Sequence, residues 1–461
     1  MPVNFPRYLA ALAVVGLLVP GGGAADQEIY EYRYSGSDKP GELIYPVRHI
    51  LWIPPGLKTV RAIIVHQHGC GEGACKGGET AAYDLHWREL ARRNDCALLG
   101  PTYSQKDADD CRKWCDPRNG SEAVFLKALE ELAKTSGHPE IAKAPWCLWG
   151  HSGGGFWSSI LMAQHPGRVV AVWCRSGTAF PVWSKGQIPK LDVPKATYEI
   201  PLVLNPGFLE KGDKRFAGAW TGSAEMFEAY RKEGAPALFA PDPRTGHECG
   251  DSRYLAIPWF EACLKKRLGD KDSAASTLVA VDQNQGFLVG SDNRPIPAGR
   301  FSGERARAGW IPSDLVARAF VDYAISGTVA DLSAPPAPTD LKVKSENGAI
   351  ELTWSASADP ESGLRGFIIT REGKRIAQIP ENPIARFGRP LFQGLSYHDT
   401  PEAKLPAMRY IDKSPITTHE GTQAGGKISY KVIAVNGAGL FSEPTVVSAP
   451  LPSSTPRDTK P

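Results

Sequence analysis

The sequence predicts an α/β domain built on a mostly parallel sheet, followed by an all-β sandwich. From about residue 42 to residue 266, short apolar runs alternate with longer amphipathic stretches, which is typical of repeated β-α-β units. A proline-rich segment, SAPPAP at residues 333–338, cannot continue a helix or a central strand. After it the apolar residues recur every second position, as in antiparallel strands. The 461 residues are enough for two or three domains of roughly 150 residues each.

Apolar runs and their connections predict the elements of the α/β domain, which we place at residues 26–268. Helices between the strands are expected at 84–94, 121–134 and 154–164, the second with Ser121 as its N-cap. Such helices cover both faces of a parallel sheet. Seven strands are predicted, at residues 49–53, 62–66, 97–101, 146–149, 169–173, 201–205 and 236–240.

The remaining segments have distinct compositions. Residues 1–25 predict a secretory signal, because Arg7 precedes an uncharged apolar run and small residues follow up to Ala25. The mature chain is therefore expected to be secreted or periplasmic and free of the membrane. Residues 269–332 predict an appendage packed on the α/β domain, with a strand-like LVAVD and a helix at 312–325. The sandwich is expected at 339–451 and a disordered tail at 452–461.

Charge and cysteine content restrict the partners and the compartment. The 53 basic and 50 acidic side chains give a formal charge of +3, so no nucleic-acid partner is expected. All nine cysteines lie between positions 70 and 263, and an exported chain with an odd number keeps at least one free thiol. Cys111 and Cys115 are close enough in sequence to bridge, as are Cys70 and Cys75, but the connectivity stays open. No CxxC pair supports a structural zinc site.

The strongest motif is GHSGG at residues 150–154. It follows the apolar run WCLW directly and precedes a predicted helix, which is the context of the GxSxG nucleophile elbow. In that turn the serine is raised above the end of the sheet. Ser152 is therefore the candidate nucleophile.

A serine nucleophile needs a general base and an acid, which follow it in the order acid, then histidine, in this class of sheet. His247, in the turn PDPRTGHECG after the last strand, is the candidate base. The loop PLVLNPGFLEKGD supplies the acid, with Glu210 preferred and Asp213 as the alternative. Asp242 is a third option, since it precedes His247, although it adjoins a different strand. The other nine histidines are excluded because they precede or adjoin Ser152, end helices or lie in the sandwich: His49, His66, His68, His86, His138, His151, His165, His398 and His419.

Oxyanion donors are expected from two backbone N–H groups. We assign them to Gly153, which follows the nucleophile, and to Cys70 in the loop HGCGEG. An alternative takes His66 and His68 as metal ligands, since residues two apart on a strand face the same way. No carboxylate follows at a suitable spacing, so no metal and no cofactor is expected.

The motifs HGCGEG, CRKWCDP, GHSGGG and the late GH together resemble the α/β-hydrolase superfamily over about residues 42–266. They are more closely similar to extracellular esterases related to polyhydroxyalkanoate depolymerases and to feruloyl or acetylxylan esterases. The resemblance implies a serine hydrolase that cleaves carboxylic esters, including polymeric or polysaccharide-linked ones, through an acyl-enzyme. The chain departs from those esterases at His151 and at Gly155, the third consecutive glycine after Ser152. The alternatives are a serine peptidase of the same fold and a binding protein with an inactive hydrolase domain.

The C-terminal part resembles a fibronectin type III domain over about residues 334–451. The resemblance rests on Trp354 in the second strand, DPESG before the third, and Tyr430 in YKVIAVNGAGLFSEP, which would form a tyrosine corner. The stretch 375–427 is longer than such a domain needs and predicts a loop insertion. We expect a folded spacer or a binding module, with few contacts to the α/β domain that are essential to its chemistry.

Overall fold

The computed structural model describes residues 29–72, 82–269, 278–346, 348–383, 408–413 and 427–450. The predicted signal segment, the predicted tail, Cys75 and most of the predicted loop insertion lie outside these ranges. Within the ranges, no helix is both long and apolar enough to cross a membrane.

An eight-stranded mixed sheet forms the centre of the α/β part, in the order β1-β2-β4-β3-β5-β6-β7-β8. β2 runs antiparallel to both of its neighbours, and the other pairs are parallel. The sheet with its covering helices has the mostly parallel α/β architecture that the sequence predicts. Its strands are β1 (Ile29–Tyr34), β2 (Val47–Trp52), β3 (Ala62–Gln67), β4 (Cys96–Tyr103), β5 (Trp146–His151), β6 (Val169–Arg175), β7 (Leu202–Asn205) and β8 (Ala237–Phe239).

All seven predicted strands are confirmed, and one edge strand was missed. The missed strand is β1, IYEYRY, whose residues are mostly half-buried. It pairs only with β2, at the edge of the sheet. Edge position leaves it without the continuous apolar run that marks a strand buried on both faces.

Helices cover both faces of the sheet and produce two hydrophobic cores. Successive residues of β3 alternate between them: Ile63 and Val65 belong to one core, Ala62 and Ile64 to the other. The helices are α1 (Leu85–Arg93), α2 (Arg112–Cys115), α3 (Ser121–Ser136), α4 (Gly153–Gln164), α5 (Phe180–Ser184), α6 (Ala217–Lys232) and α7 (Arg253–Arg267).

The predicted cap of α3 is wrong. Ser121 is the first residue of the helix, and Gly120 precedes it at φ 96°, a left-handed conformation. The Ser121 hydroxyl instead donates to the Trp114 carbonyl, 2.6 Å away. α1, by contrast, has a side-chain cap, because Asp84 accepts the N–H groups of His86 and Trp87.

The segment after α7 packs against the α/β part. Trp310 and Phe320 are buried in the core that contains residues of α7. The described residues of the predicted LVAVD strand do not form one, and a three-stranded antiparallel sheet follows them. Its strands are β9 (Phe287–Val289), β10 (Pro295–Pro297) and β11 (Gly309–Ile311), and the predicted helix is α8 (Asp314–Ser326), capped by Ser313.

The C-terminal part contains two antiparallel sheets, β12-β13-β16 and β15-β14-β17-β18. Trp354 and Phe367 pack edge to face in their common core, 5.2 Å apart. The Tyr430 hydroxyl donates to the carboxylate of Asp412 (2.7 Å), a side chain rather than the backbone carbonyl of a tyrosine corner. The strands are β12 (Thr339–Glu346), β13 (Ala349–Ser355), β14 (Leu364–Arg371), β15 (Lys374–Ile379), β16 (Arg409–Asp412), β17 (Lys427–Asn436) and β18 (Thr445–Pro450).

Candidate active site

Ser152 occupies the sharp turn between β5 and α4. Its φ of 53° and ψ of −116° lie in a region that non-glycine residues rarely adopt. The turn is possible because Gly154 and Gly155 lie against backbone: a Cβ on Gly154 would overlap the Gln67 carbonyl, and one on Gly155 the Gly177 carbonyl. Close packing of backbone therefore explains Gly155, the third consecutive glycine after Ser152.

His247 lies between Ser152 and Glu210. Its Nε2 is 2.8 Å from the Ser152 Oγ, and its Nδ1 is 2.5 Å from a carboxylate oxygen of Glu210. A carboxylate only accepts hydrogen bonds, so Nδ1 carries the proton and Nε2 presents its lone pair to the serine hydroxyl. This tautomer is the one that a general base requires.

Of the three candidate acids, the structure brings only Glu210 to His247. Glu210 is fully buried, and its second carboxylate oxygen accepts the Gly207 N–H at 2.9 Å. Asp213 is exposed and accepts the N–H groups of Arg215 and Phe216, both at 2.7 Å. These backbone hydrogen bonds lower the pKa of Asp213.

Asp242, the third candidate, is buried and accepts two backbone N–H groups. They belong to Arg244 (3.1 Å) and Asp251 (2.9 Å). The carboxylate thus braces the turn that carries His247 without contacting the imidazole.

Gly153 and the loop that carries Cys70, the predicted sources of the oxyanion donors, are close to Ser152. Gly153 is the first residue of α4, where an N–H has no acceptor within the helix. A Cβ on Gly153 would overlap the Cys70 sulfur, and one on Gly69 would come within 2.9 Å of the Ser152 Cβ. The loop after β3 therefore borders the nucleophile.

A disulfide fixes that loop. Cys70 is bonded to Cys111, 41 residues away, so neither short pairing, Cys111 with Cys115 or Cys70 with Cys75, forms. The bridge joins the loop after β3 to the start of α2. Cys115 remains a buried thiol, and burial raises its pKa well above the ordinary value.

His66 and His68 lie beneath the site rather than in it. The His66 ring stacks on Trp149, with centroids 3.9 Å apart and planes inclined by 10°. Burial lowers the pKa of His66 well below its ordinary value and that of His68 to about 3, so both rings are neutral. Among the described residues, one group of possible metal ligands combines His68 with His151 and Cys249, with donor atoms within 4.8 Å of one another, and no such group includes His66.

Three side chains around His247 were not predicted. His151 Nε2 donates to the His247 carbonyl at 2.5 Å, Arg175 donates to the backbone on either side of His247, and the Phe216 ring contacts the imidazole. Arg175 had a signal, since it is a charged residue at the end of the apolar run VVAVWCR. Phe216 had none, because an aromatic residue in a loop has no periodicity to mark it.

Comparison with known proteins gives similarities of fold. No family model and no curated protein matches this chain. A solved ferulic acid esterase is 15% identical, with 48% of this chain and 91% of that chain covered and a TM-score of 0.35. LpqC, poly(3-hydroxybutyrate) depolymerase from Bordetella parapertussis, is 18% identical over 54% and 92%, with a TM-score of 0.36. Siderophore hydrolase EstB from Aspergillus nidulans is 16% identical over 53% and 96%, with a TM-score of 0.35.

Proposed function

We propose that this chain is a serine hydrolase of carboxylic esters that works through an acyl-enzyme. The observation that carries the proposal is the hydrogen-bonded series from Ser152 through His247 to Glu210. Each distance allows a proton to move or a charge to be stabilised, and the three residues follow the chain order of such hydrolases.

In the proposed reaction, the Ser152 Oγ attacks the ester carbonyl while His247 Nε2 takes the hydroxyl proton. Glu210 then stabilises the imidazolium through Nδ1. The N–H groups of Gly153 and Cys70 receive the developing oxyanion. His247 returns its proton to the departing alcohol, and a water molecule, activated by the same nitrogen, releases the acid from Ser152.

The burial of Glu210 supports the role of the acid. A carboxylate that is fully buried needs hydrogen bonds on both oxygens, and this one has the imidazole on one side and the Gly207 N–H on the other. The negative charge of Glu210 stabilises the imidazole most strongly once His247 has gained a proton. That proton is gained in the transition state rather than in the resting protein.

We propose further that the protein is exported and that its domains have the boundaries that the sequence predicts. The Cys70–Cys111 disulfide supports an oxidising compartment. The two antiparallel sheets of three and four strands support a fibronectin type III-like domain after the linker at residues 333–338. We propose that this domain is either a folded spacer or a module that binds polymeric or polysaccharide-linked esters.

A substrate panel with a nucleophile control tests the proposal. Wild-type protein and Ser152→Ala would be assayed on p-nitrophenyl esters, aryl esters of ferulate, acetylated xylan and peptide anilides. We expect ester turnover in the wild type only, and labelling of Ser152 by a fluorophosphonate, read by intact mass. Fast anilide cleavage without esterase activity would indicate a peptidase. No turnover and no labelling would indicate the binding protein.

A further inference from the structure

We infer that Arg175 and His151 are positioning residues, which hold the backbone of the base loop so that His247 meets both Ser152 and Glu210. The inference rests on the proposed function. Neither side chain contacts the Ser152 hydroxyl among the described hydrogen bonds, so their effect on the reaction passes through the loop at residues 245–248.

Three consecutive carbonyls of that loop accept hydrogen bonds from these two side chains. The Gly246 carbonyl accepts from the Arg175 Nη2 at 2.9 Å, and the Glu248 carbonyl accepts from its Nε, also at 2.9 Å. Between them, the His247 carbonyl accepts from the His151 Nε2 at 2.5 Å. These hydrogen bonds therefore fix the backbone on both sides of the candidate base, His247.

The register of the sheet places Arg175 and His151 side by side. Arg175 ends β6, with His151 of β5 as its register partner on one side and Asn205 of β7 on the other. Arg175 is fully buried, and its guanidinium also donates to the Asn205 carbonyl (2.9 Å) and to the Thr245 hydroxyl (2.8 Å). Its charge is therefore dispersed over carbonyl and hydroxyl dipoles.

The same residue also holds the nucleophile. The Arg175 carbonyl accepts the Ser152 N–H at 2.8 Å. One residue thus joins the nucleophile elbow, through its backbone, to the base loop, through its side chain. A change in the Arg175 side chain would leave the elbow bond in place and release the base loop and the Asn205 carbonyl.

The chemistry of each donor is specific. A guanidinium is planar and presents several N–H groups in a rigid fork, whereas a lysine ammonium of similar charge cannot reach carbonyls two residues apart at once. His151 must carry its proton on Nε2, because a carbonyl only accepts. Burial lowers the pKa of His151 well below the ordinary value, which keeps the ring in this neutral, single-donor form.

The expected consequence is kinetic. A displacement of about 1 Å of a reacting group can cost about a hundredfold in rate. We expect Arg175→Lys to lower kcat on a p-nitrophenyl ester by about thirtyfold to a hundredfold, with KM within about threefold. The acidic limb of the pH–rate profile should also move, because a loosened loop changes the contact of His247 with Glu210. Fluorophosphonate labelling of Ser152 should slow in parallel.

A matched control separates positioning from stability. Arg267 is also buried and donates to the carbonyls of Val169 (2.9 Å) and Val170 (3.0 Å), at the opposite end of β6. We expect Arg267→Lys to lower the Tm as Arg175→Lys does, but to leave kcat and the pH–rate profile unchanged.

The role of His151 is tested with two substitutions. A glutamine at this position places its amide nitrogen near the position of the His151 Nε2. His151→Gln should therefore retain kcat within about fivefold, while His151→Met, which has no donor, should lose at least about tenfold.

The inference is overturned if folded Arg175→Lys has wild-type kcat and pH–rate profile, or if His151→Gln and His151→Met are equally active. If Arg175→Lys does not fold, the His151 pair decides. Failure of this inference can be told apart from failure of the proposed function. If Ser152→Ala keeps full hydrolysis, the proposed function is wrong. If Ser152→Ala is inactive while Arg175→Lys is unaffected, only the positioning role is wrong.

Discussion

The phenyl ring of Phe216 lies flat against the imidazole of His247, with centroids 3.7 Å apart and ring planes inclined by 8°. Phe216 immediately precedes α6, and the Arg215 guanidinium lies 4.8 Å from the centroid of the same ring. A stacked ring restricts rotation of the imidazole about its side-chain bonds and covers one of its faces. In the proposed mechanism, that contact keeps Nε2 directed at Ser152.

We therefore predict that Phe216→Ala lowers kcat by about tenfold, since the imidazole gains freedom in the ground state that must be lost in the transition state. Steady-state kinetics on a p-nitrophenyl ester measures the effect. Phe208→Ala is the control, because Phe208 belongs to the same loop, is 51% exposed and packs on Trp220. Equal rates for the two variants would contradict a role for the stacked ring.

Removal of the nucleophile or the base should nearly abolish turnover. Because the members of such a site act as a unit, we expect Ser152→Ala and His247→Ala each to reduce kcat by about three to six orders of magnitude. Ser184→Ala, at an exposed serine that donates to the Pro181 carbonyl, should have wild-type kcat. Calorimetry would verify that all three variants fold. Substantial activity in Ser152→Ala or His247→Ala would contradict the proposed mechanism.

The identity of the acid can be tested with two isosteric variants. Glu210→Gln removes the negative charge that faces His247 Nδ1, and we expect kcat to fall by about two orders of magnitude or more. Asp213→Asn keeps an oxygen that can accept the N–H groups of Arg215 and Phe216, so it should change kcat by less than about threefold. A larger loss in Asp213→Asn would move the role of the acid to Asp213.

Much of the α/β part could be predicted because its signals are local. Parallel strands buried on both faces are nearly continuous apolar runs, and the turn around Ser152 needs glycines at fixed offsets. The chain order of nucleophile, acid and base then restricted His247 and Glu210 to two loops. Glu210 could be preferred over Asp213 from its position after Gly207, but the contact itself depends on the folded loop.

The remaining features depend on residues distant in sequence. The Cys70–Cys111 bridge spans 41 residues, and nothing in the spacing of nine cysteines selects that pair. The hydrogen bonds of Arg175 to the base loop span about 70 residues. The edge strand β1 lacks the continuous apolar run of a strand buried on both faces, and it pairs only with β2. Each of these features exists only after the sheet has assembled.

Asp359 gives the C-terminal sandwich a pH-dependent stability. Burial, with a further contribution from Asp331, raises the pKa of Asp359 to about 7 from an ordinary 3.8. Between these values the folded chain holds a proton that the unfolded chain has lost. The stabilisation is therefore fully present below about pH 4 and is lost as the pH rises through about 7.

We expect the sandwich transition in calorimetry to move to lower temperature between pH 5 and pH 8, and Asp359→Asn to reduce that dependence. Asparagine keeps an oxygen for the N–H groups of Glu361 and Ser362, which Asp359 accepts at 2.9 Å and 3.3 Å. Carboxylates distant from Asp359 titrate equally in both proteins, so the difference between the two slopes reports on Asp359 together with Asp331, which contributes to its raised pKa. Identical slopes would contradict the raised pKa.

Several contacts join the sandwich to the α/β part. Leu85 of α1 is buried in the sandwich core, and the His86 Nε2 donates to the Pro360 carbonyl at 2.9 Å. Asp331 accepts from Ser362 (2.5 Å) and Asn436 (2.8 Å). The sandwich therefore contacts the first helix after the loop that carries Cys70.

We expect these contacts to affect the stability of the α/β part but not its hydrolysis of small esters. Truncation after Asp331 exposes Leu85, whose burial is worth about 1.5 to 3 kcal/mol, so the Tm of the α/β part should fall by a few degrees. None of the proposed catalytic residues lies beyond position 247, so kcat/KM on a small soluble ester should stay within about threefold. Leu85→Ser in the truncated chain should improve solubility without changing that value. Activity on insoluble ester should fall, because a tethered module raises the local concentration of enzyme. Loss of small-ester hydrolysis in a folded, monodisperse truncated protein would instead indicate that the sandwich shapes the active site through α1.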